Sequence, residues 1–238
     1  GTFSYLLSGP VVIASQLNTQ ASTSTSYLLL SLLVIGLIHY HAFRSWQAVV
    51  LPIATGLIAV LWAMGAMGHL GIALDPFNAT TPILILAVGA GHAVQLLKRY
   101  YEELDTGLSN RASIIRSIES AGGAMIVAGT IAIVSFLSLS TLGTQSMRTF
   151  GLLTAFGVSS ALLIEMTLIP AVRSFAGRPR SAGSRHSFLD TPLRLIAESA
   201  SSPRRARTLL FSYASLVGLC GFFAANIEVD TSFKRNLS

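Results

Sequence analysis

The sequence predicts an all-α protein that crosses a membrane several times, and three observations lead there. Hydrophobic residues make up 52% of the 238 positions and charged residues only 11%, with a mean hydropathy of +0.64, far from the composition of a water-soluble domain of this length. Apolar stretches approaching or exceeding the ~20 residues that a helix needs to cross about 30 Å of hydrocarbon recur along the chain. The 16 Lys and Arg residues cluster at the ends of those stretches rather than forming one basic patch.

Six spans are expected, at about Ser24 to His41, Gln47 to Gly68, Thr80 to Leu97, Gly122 to Leu142, Phe150 to Val172 and Thr208 to Asn226. Ahead of the first, "TFSYLLSG" before Pro10 reads as a short strand and turn, and "VVIASQLNTQASTSTS" as a polar-to-apolar approach. Residues 1–23 are therefore expected to close an external domain. Only "AFRSW" separates the first two spans, which makes them a tight hairpin with Arg44 and Trp46 at the interface. "KRYYEELDTGLSNRASIIRSIES" is polar and spaces Ile114, Ile115 and Ile118 as on a helix. An amphipathic helix lying along the inner leaflet is expected at Arg111 to Glu119. A second is expected at Phe188 to Ala200, where "DTP" supplies a cap and Pro192 the first helical position. It lies in a cytoplasmic linker, residues 173–207, between a five-helix membrane domain, residues 24–172, and a further helix, residues 208–226. "IEVDTSF" alternates like a strand, so residues 227–238 are expected to begin a second external domain.

With the N-terminus placed outside, thirteen basic residues fall on the cytoplasmic side and leave Arg148, Lys234 and Arg235 outside. This is a positive-inside distribution. It excludes a nucleic-acid partner, because the basic residues track helix ends and are not interleaved with aromatics. Cys220 is single, so there is no disulfide framework. No phosphate loop, nucleophile elbow or HExxH occurs, and no enzyme activity, cofactor or metal is expected. His39 and His41, two residues apart on a helix, point to different sides and cannot share a metal ion.

Chemistry concentrates on two helices. His92, Gln95, Arg99 and Glu102 or Glu103 recur at spacings that place them on one polar stripe of the third span, with Gly89 and Gly91 beside it as helix-packing positions. Glu165 stands alone in "ALLIEMTLIPAV", eight residues or about 12 Å before Arg173. His92 is six residues, about 9 Å, from Lys98. Both ionisable groups thus sit at similar depth in the membrane, where a charged side chain is costly and needs a partner or a water-filled cavity. Both residue types change protonation readily when their surroundings perturb them, which a proton relay requires. Against this, His92 could make one ordinary interhelical hydrogen bond, Arg99 and Glu103 an interfacial ion pair, and Glu165 could snorkel to the interface.

"LAVGAGHAVQLLKRYYEEL" resembles the fourth membrane helix of the resistance-nodulation-division superfamily, in particular its MMPL, Patched and hydrophobe/amphiphile exporter branch. "SIIRSIESAGGAMIVAGTIAIVSFLSLS" is similar to that family's cytoplasmic helix and helix five, and "FGLLTAFGVSSALLIEMTLIPAV" to helix six. The resemblance implies helices two to seven of a twelve-helix, two-halved transporter in a bacterial inner membrane. It also implies a proton-driven exporter of lipidic or amphiphilic molecules, whose partners are membrane lipids, protons, the remainder of the same polypeptide and a possible homo-oligomer. A non-transporting lipid sensor or scaffold of the sterol-sensing type is the alternative it allows. The family's helix-four proton site, an Asp-Tyr pair or Asp-rich in many relatives, falls on Gly91 and His92 here, where no carboxylate stands. His92, with Glu165, is the substitute.

Overall fold

A computed structural model of the chain describes residues 10–75, 77–176 and 201–225, with side chains described from Ser26 onward except at residues 203, 204 and 225. Among these residues there is no strand. Six helices are each long and apolar enough to cross a membrane, and the protein is a multi-pass membrane protein. They are α1 (Pro10–Phe43), α2 (Trp46–His69), α3 (Thr81–Asp105), α4 (Asn110–Ser138), α5 (Gln145–Phe175) and α6 (Pro203–Ala225). The first five belong to one compact unit, residues 1–184, and α6 to a second, residues 185–238.

Local chemistry sets the helix boundaries. Pro10 opens α1, a position where its missing N–H would be unpaired in any case, and no Gly or Pro interrupts the chain from Val11 to Ile35. The Ser/Thr-rich stretch expected to be an approach is therefore a continuous part of a 34-residue helix. Arg44 adopts φ 46°, a left-handed conformation, and its N–H reaches the Tyr40 carbonyl at 2.7 Å to close the helix. Asp75 caps the next entry, accepting from the N–H groups of Phe77 (2.9 Å) and Asn78 (2.8 Å) ahead of a 3-10 turn, Asn78–Thr80, that runs into α3. Gly107, at φ +90°, ends the α3 turn, and Ser109 caps α4 by accepting from the Ala112 N–H.

One expectation is corrected here. Residues Arg111 to Glu119 are helical, but they form the first turns of α4 and not a separate surface helix. No proline occurs from Asn110 to Ser138, and the adjacent Gly122 and Gly123 lower helix propensity without breaking the hydrogen-bond ladder. Its buried positions are Ser113, Ser117, Gly122, Met125 and Gly129, while Ile115 is exposed. The expected helix at Phe188 to Ala200, and the expected strands before Pro10 and after Ala225, lie outside the described residues.

Small residues hold the five-helix unit together, as suits a setting where lipid tails are as apolar as any side chain. Ala59, Ala63 and Val60 of α2 pack with Ile85 and Leu86 of α3 and Ala161 and Ile164 of α5. Toward the other end, Ala48, Ala93, Leu96, Leu97, Met125 and Ile169 form a second cluster joining α2, α3, α4 and α5. Glycines mark the closest approaches: a methyl on Gly56 would lie 2.8 Å from the Leu86 side chain, and one on Gly157 would overlap Ile85. Arg44, Lys98, Arg99, Arg111, Arg116 and Arg173 gather at the end where α1 meets α2 and α3 meets α4, the basic end of the unit.

Candidate functional site

The α3 and α5 helices run parallel, and their buried faces meet along one seam. On α3 the seam is drawn by Thr81, Ile85, Gly89, His92, Leu96 and Tyr100, on α5 by Thr154, Gly157, Ala161, Glu165, Ile169 and Arg173. These three- and four-residue steps are those of one helix face. Thr81 Oγ1 and Thr154 Oγ1 share a hydrogen bond of 3.4 Å at one end. Midway, His92 Nδ1 lies 3.7 Å from Glu165 Oε2. At the basic end Arg173 donates to the Tyr101 hydroxyl.

Glu165 is fully buried and His92 is 7% exposed, so neither side chain snorkels to an interface. Neither His92 Nδ1 nor either carboxylate oxygen of Glu165 has a hydrogen-bond partner among the described residues. At 3.7 Å the imidazole and carboxylate are just beyond hydrogen-bond reach. A movement of well under 1 Å would join them.

Gly89 makes this geometry possible. A Cβ placed on it would stand 2.7 Å from Glu165 Oε1 and 3.5 Å from Ala161 Cβ, so the carboxylate occupies the space a side chain would take. Gly91, the other expected packing position, has nothing within 4 Å of its Cβ direction and is not a close-approach site in this unit. Gly89→Ala is therefore expected to displace the Glu165 carboxylate and Gly91→Ala to leave it in place. Solvent-exchange or infrared readout of the Glu165 carboxyl would show the difference, and equal responses would refute the assignment.

The polar stripe divides. Glu103 is buried like His92, but Gln95, Arg99 and Glu102 are exposed. At 100° per residue Gln95 and Glu102 point about 60° and about 80° away from His92. Arg99 pairs with Glu103 at 2.9 Å and Glu102 at 3.3 Å and donates to Ser120 Oγ of α4 at 2.9 Å. These groups form an ion network that links α3 to α4 and makes no ion pair with His92 or Glu165 among the described residues. His39 is buried and its Nδ1 lies 2.7 Å from the Ile35 carbonyl oxygen, an ordinary backbone contact within α1. No cluster of metal-ligating side chains occurs among the described residues.

The sequence reading missed a second polar centre. Arg173, counted there only as an interfacial charge, is 2% exposed. Its guanidinium lies over the rings of Tyr100 and Tyr101, 5.3 Å and 5.2 Å from their centroids, and donates to Gln47 Oε1 of α2 at 2.7 Å. Asn110 of α4 donates to the Arg173 carbonyl at 3.0 Å and accepts from Tyr100 at 2.6 Å. One signal could have found it: Arg173 follows Glu165 by two four-residue steps through Ile169, about 80° around α5, which keeps it near the buried face that carries the glutamate.

The chain matches known proteins over most of its length. It is 32% identical over 151 residues to MJ1562 of Methanocaldococcus jannaschii, which is named as a membrane protein, with 63% of this chain and 38% of that protein aligned. It is 31% identical over 134 residues to the membrane protein YdfJ of Bacillus subtilis, covering 54% of this chain and 18% of that one. To MmpL11 of Mycolicibacterium smegmatis, named as an exporter of mycolic acid-containing lipids, it is 28% identical over 163 residues, covering 67% and 17%. The chain thus spans well under half the length of these relatives. The sequence profile of the MMPL family matches residues 4–204. With the helical bundle described above, that match places the chain in the MMPL family.

Proposed function

We propose that this chain is part of a proton-driven exporter of lipidic or amphiphilic molecules, and that His92 and Glu165 together take up and release the coupling proton. The observation that carries the reading is the pair itself. Two ionisable side chains face each other across a helix seam inside the membrane-spanning unit, both buried, with His92 Nδ1 and both Glu165 oxygens lacking a hydrogen-bond partner among the described residues. Buried ionisable groups in membrane helices are costly and mark ion or substrate pathways, and a group that must bind and release a proton cannot be locked into a permanent partner. Protonation changes what each side chain attracts, so the distance between α3 and α5 is set by the state of this pair, and a shift in helix packing is what export requires. The lipidic substrate class is supported by the exporter named among the relatives.

In this reading the basic end faces the cytoplasm of a bacterial inner membrane. A cysteine introduced at the exposed Ser109 is expected to react only with reagents admitted to the cytoplasm, and one at the exposed Thr144 only from outside. The reverse pattern would invert the topology. The coupling is tested with the native polypeptide reconstituted into vesicles containing a fluorescent phospholipid analogue. Efflux is expected to follow an imposed proton gradient and to stop when a protonophore collapses it. Efflux that persists at the same rate without the gradient would overturn the reading, and stable lipid binding with no efflux would favour a sensor.

A further inference from the structure

We propose that Arg173 is a positioning residue, which holds α3 and α5 in the parallel register that keeps His92 and Glu165 adjacent yet unbonded. This rests on the reading of that pair as the proton site.

The register is visible at five rungs of the seam. Thr81 meets Thr154, Ile85 meets the Gly157 position, Gly89 meets Ala161, His92 meets Glu165 and Tyr100 and Tyr101 meet Arg173, each at a sequence offset of 72 or 73 residues. A constant offset means that the two helices advance together, without sliding, over about 30 Å. The outer rung is hydrogen-bonded through two hydroxyls. The inner rung is fixed by the arginine. At the middle rung His92 Nδ1 and both carboxylate oxygens of Glu165 have no hydrogen-bond partner among the described residues.

Arg173 is built to fix position rather than to neutralise charge. Among the described residues no carboxylate lies within 4.0 Å of it. What surrounds the guanidinium is two tyrosine rings, a tyrosine hydroxyl and the Gln47 amide, while Asn110 binds its carbonyl. The side chain of this α5 residue thereby joins the ends of α2 and α3 to α5, and its backbone carbonyl ties in α4. The last turn of α5 also presents its negative dipole end to the cation. A planar fork stacked on aromatic faces is specific to arginine, because an ammonium reproduces the charge but neither the plane nor the fork.

Arg173 stands eight residues, about 12 Å, along α5 from Glu165. Release of the inner rung therefore changes the middle one by letting the helices slide or part. The other charged or titratable side chains described on the elements packed around the seam are Tyr27, His39, Tyr40 and His41 on α1, His69 on α2, Lys98, Arg99, Glu102, Glu103 and Asp105 on α3, Arg111, Arg116 and Glu119 on α4, and Arg148 on α5. None has an ion-pair contact with His92 or Glu165. The pair thus answers to the geometry of the seam.

The test follows the ring nitrogens of His92 by NMR in the native polypeptide, reconstituted in nanodiscs with nitrogen-15 histidine and assigned by its loss in His92→Gln. Arg173→Met and Arg173→Lys are both expected to move the His92 titration midpoint by about half a pH unit or more, roughly a threefold change in proton affinity. Tyr101→Phe, which keeps the ring and loses one hydrogen bond, is expected to move it the same way by less. Should only Arg173→Met shift the midpoint, the arginine acts through its distant charge and the positioning role is overturned. Lowered thermal stability with an unmoved midpoint in all three variants would overturn it too, leaving Arg173 as a structural clamp. If wild-type His92 shows no titration at all, the reading of the proton site fails first, and the proposal falls with it.

Discussion

Glu165→Gln and His92→Ala are each expected to bring gradient-driven export by the native polypeptide down to background, with its abundance in the membrane nearly unchanged. Polar pairs inside membranes contribute only about 0.6 kcal/mol on average, and this pair is not even hydrogen-bonded, so folding has little to lose from either substitution. Proton binding has everything to lose, since Gln cannot titrate and Ala removes the imidazole. His92→Asp, which restores an ionisable group within reach of Glu165, is expected to retain partial export. Efflux assays beside quantitative immunoblots would check all three. Normal export by Glu165→Gln would remove the glutamate from the mechanism and leave His92 to act alone.

A large loss of stability is expected from Gly151→Ala, far from the proton site. Its new methyl would lie 2.5 Å from the Phe136 carbonyl oxygen and 2.8 Å from Leu139 Cβ, where α4 turns into α5 through the 3-10 turn Leu139–Thr141. A backbone oxygen cannot rotate away as the end of a side chain can, so the helices must separate. Overpacking of this kind costs about 1–3 kcal/mol, beyond the gain of up to about 1 kcal/mol that alanine brings to a helix. Gly123→Ala, with nothing within 4 Å, receives the gain alone. Thermal unfolding of the two purified variants is expected to move in opposite directions, and an equal response would contradict the packing at Gly151.

Much of the fold was legible because hydropathy measures the one property that membrane spans share. The spans read at Gln47 to Gly68 and Thr208 to Asn226 match α2 and α6 within a few residues. Helix ends beyond the hydrocarbon were less legible, since a polar stretch such as residues 10–23 stays helical once nothing breaks the backbone ladder. For the same reason Arg111 to Glu119 could not be told apart from the start of α4.

The candidate site was half legible. Depth could be counted from the nearest charges, which placed His92 and Glu165 at one level. That α3 and α5 are neighbours is a tertiary fact and cannot be read from the order of residues. Arg173 was hidden because an arginine at a helix end ordinarily marks an interface, and only its two tyrosines, Gln47 and Asn110 show that it is enclosed. Gly91 and Gly89 look alike in sequence, yet differ by two residues and hence by about 200° around the helix.

The account stands most directly on whether the buried pair exchanges a proton. Difference infrared spectroscopy on the native polypeptide in lipid bilayers, stepped between about pH 5 and about pH 9, reads carboxyl and imidazole bands together. The account predicts a carboxyl change that disappears in Glu165→Gln, accompanied by an imidazole change that disappears in His92→Ala. Spectra of the wild type and both variants that superimpose across the whole range would contradict it.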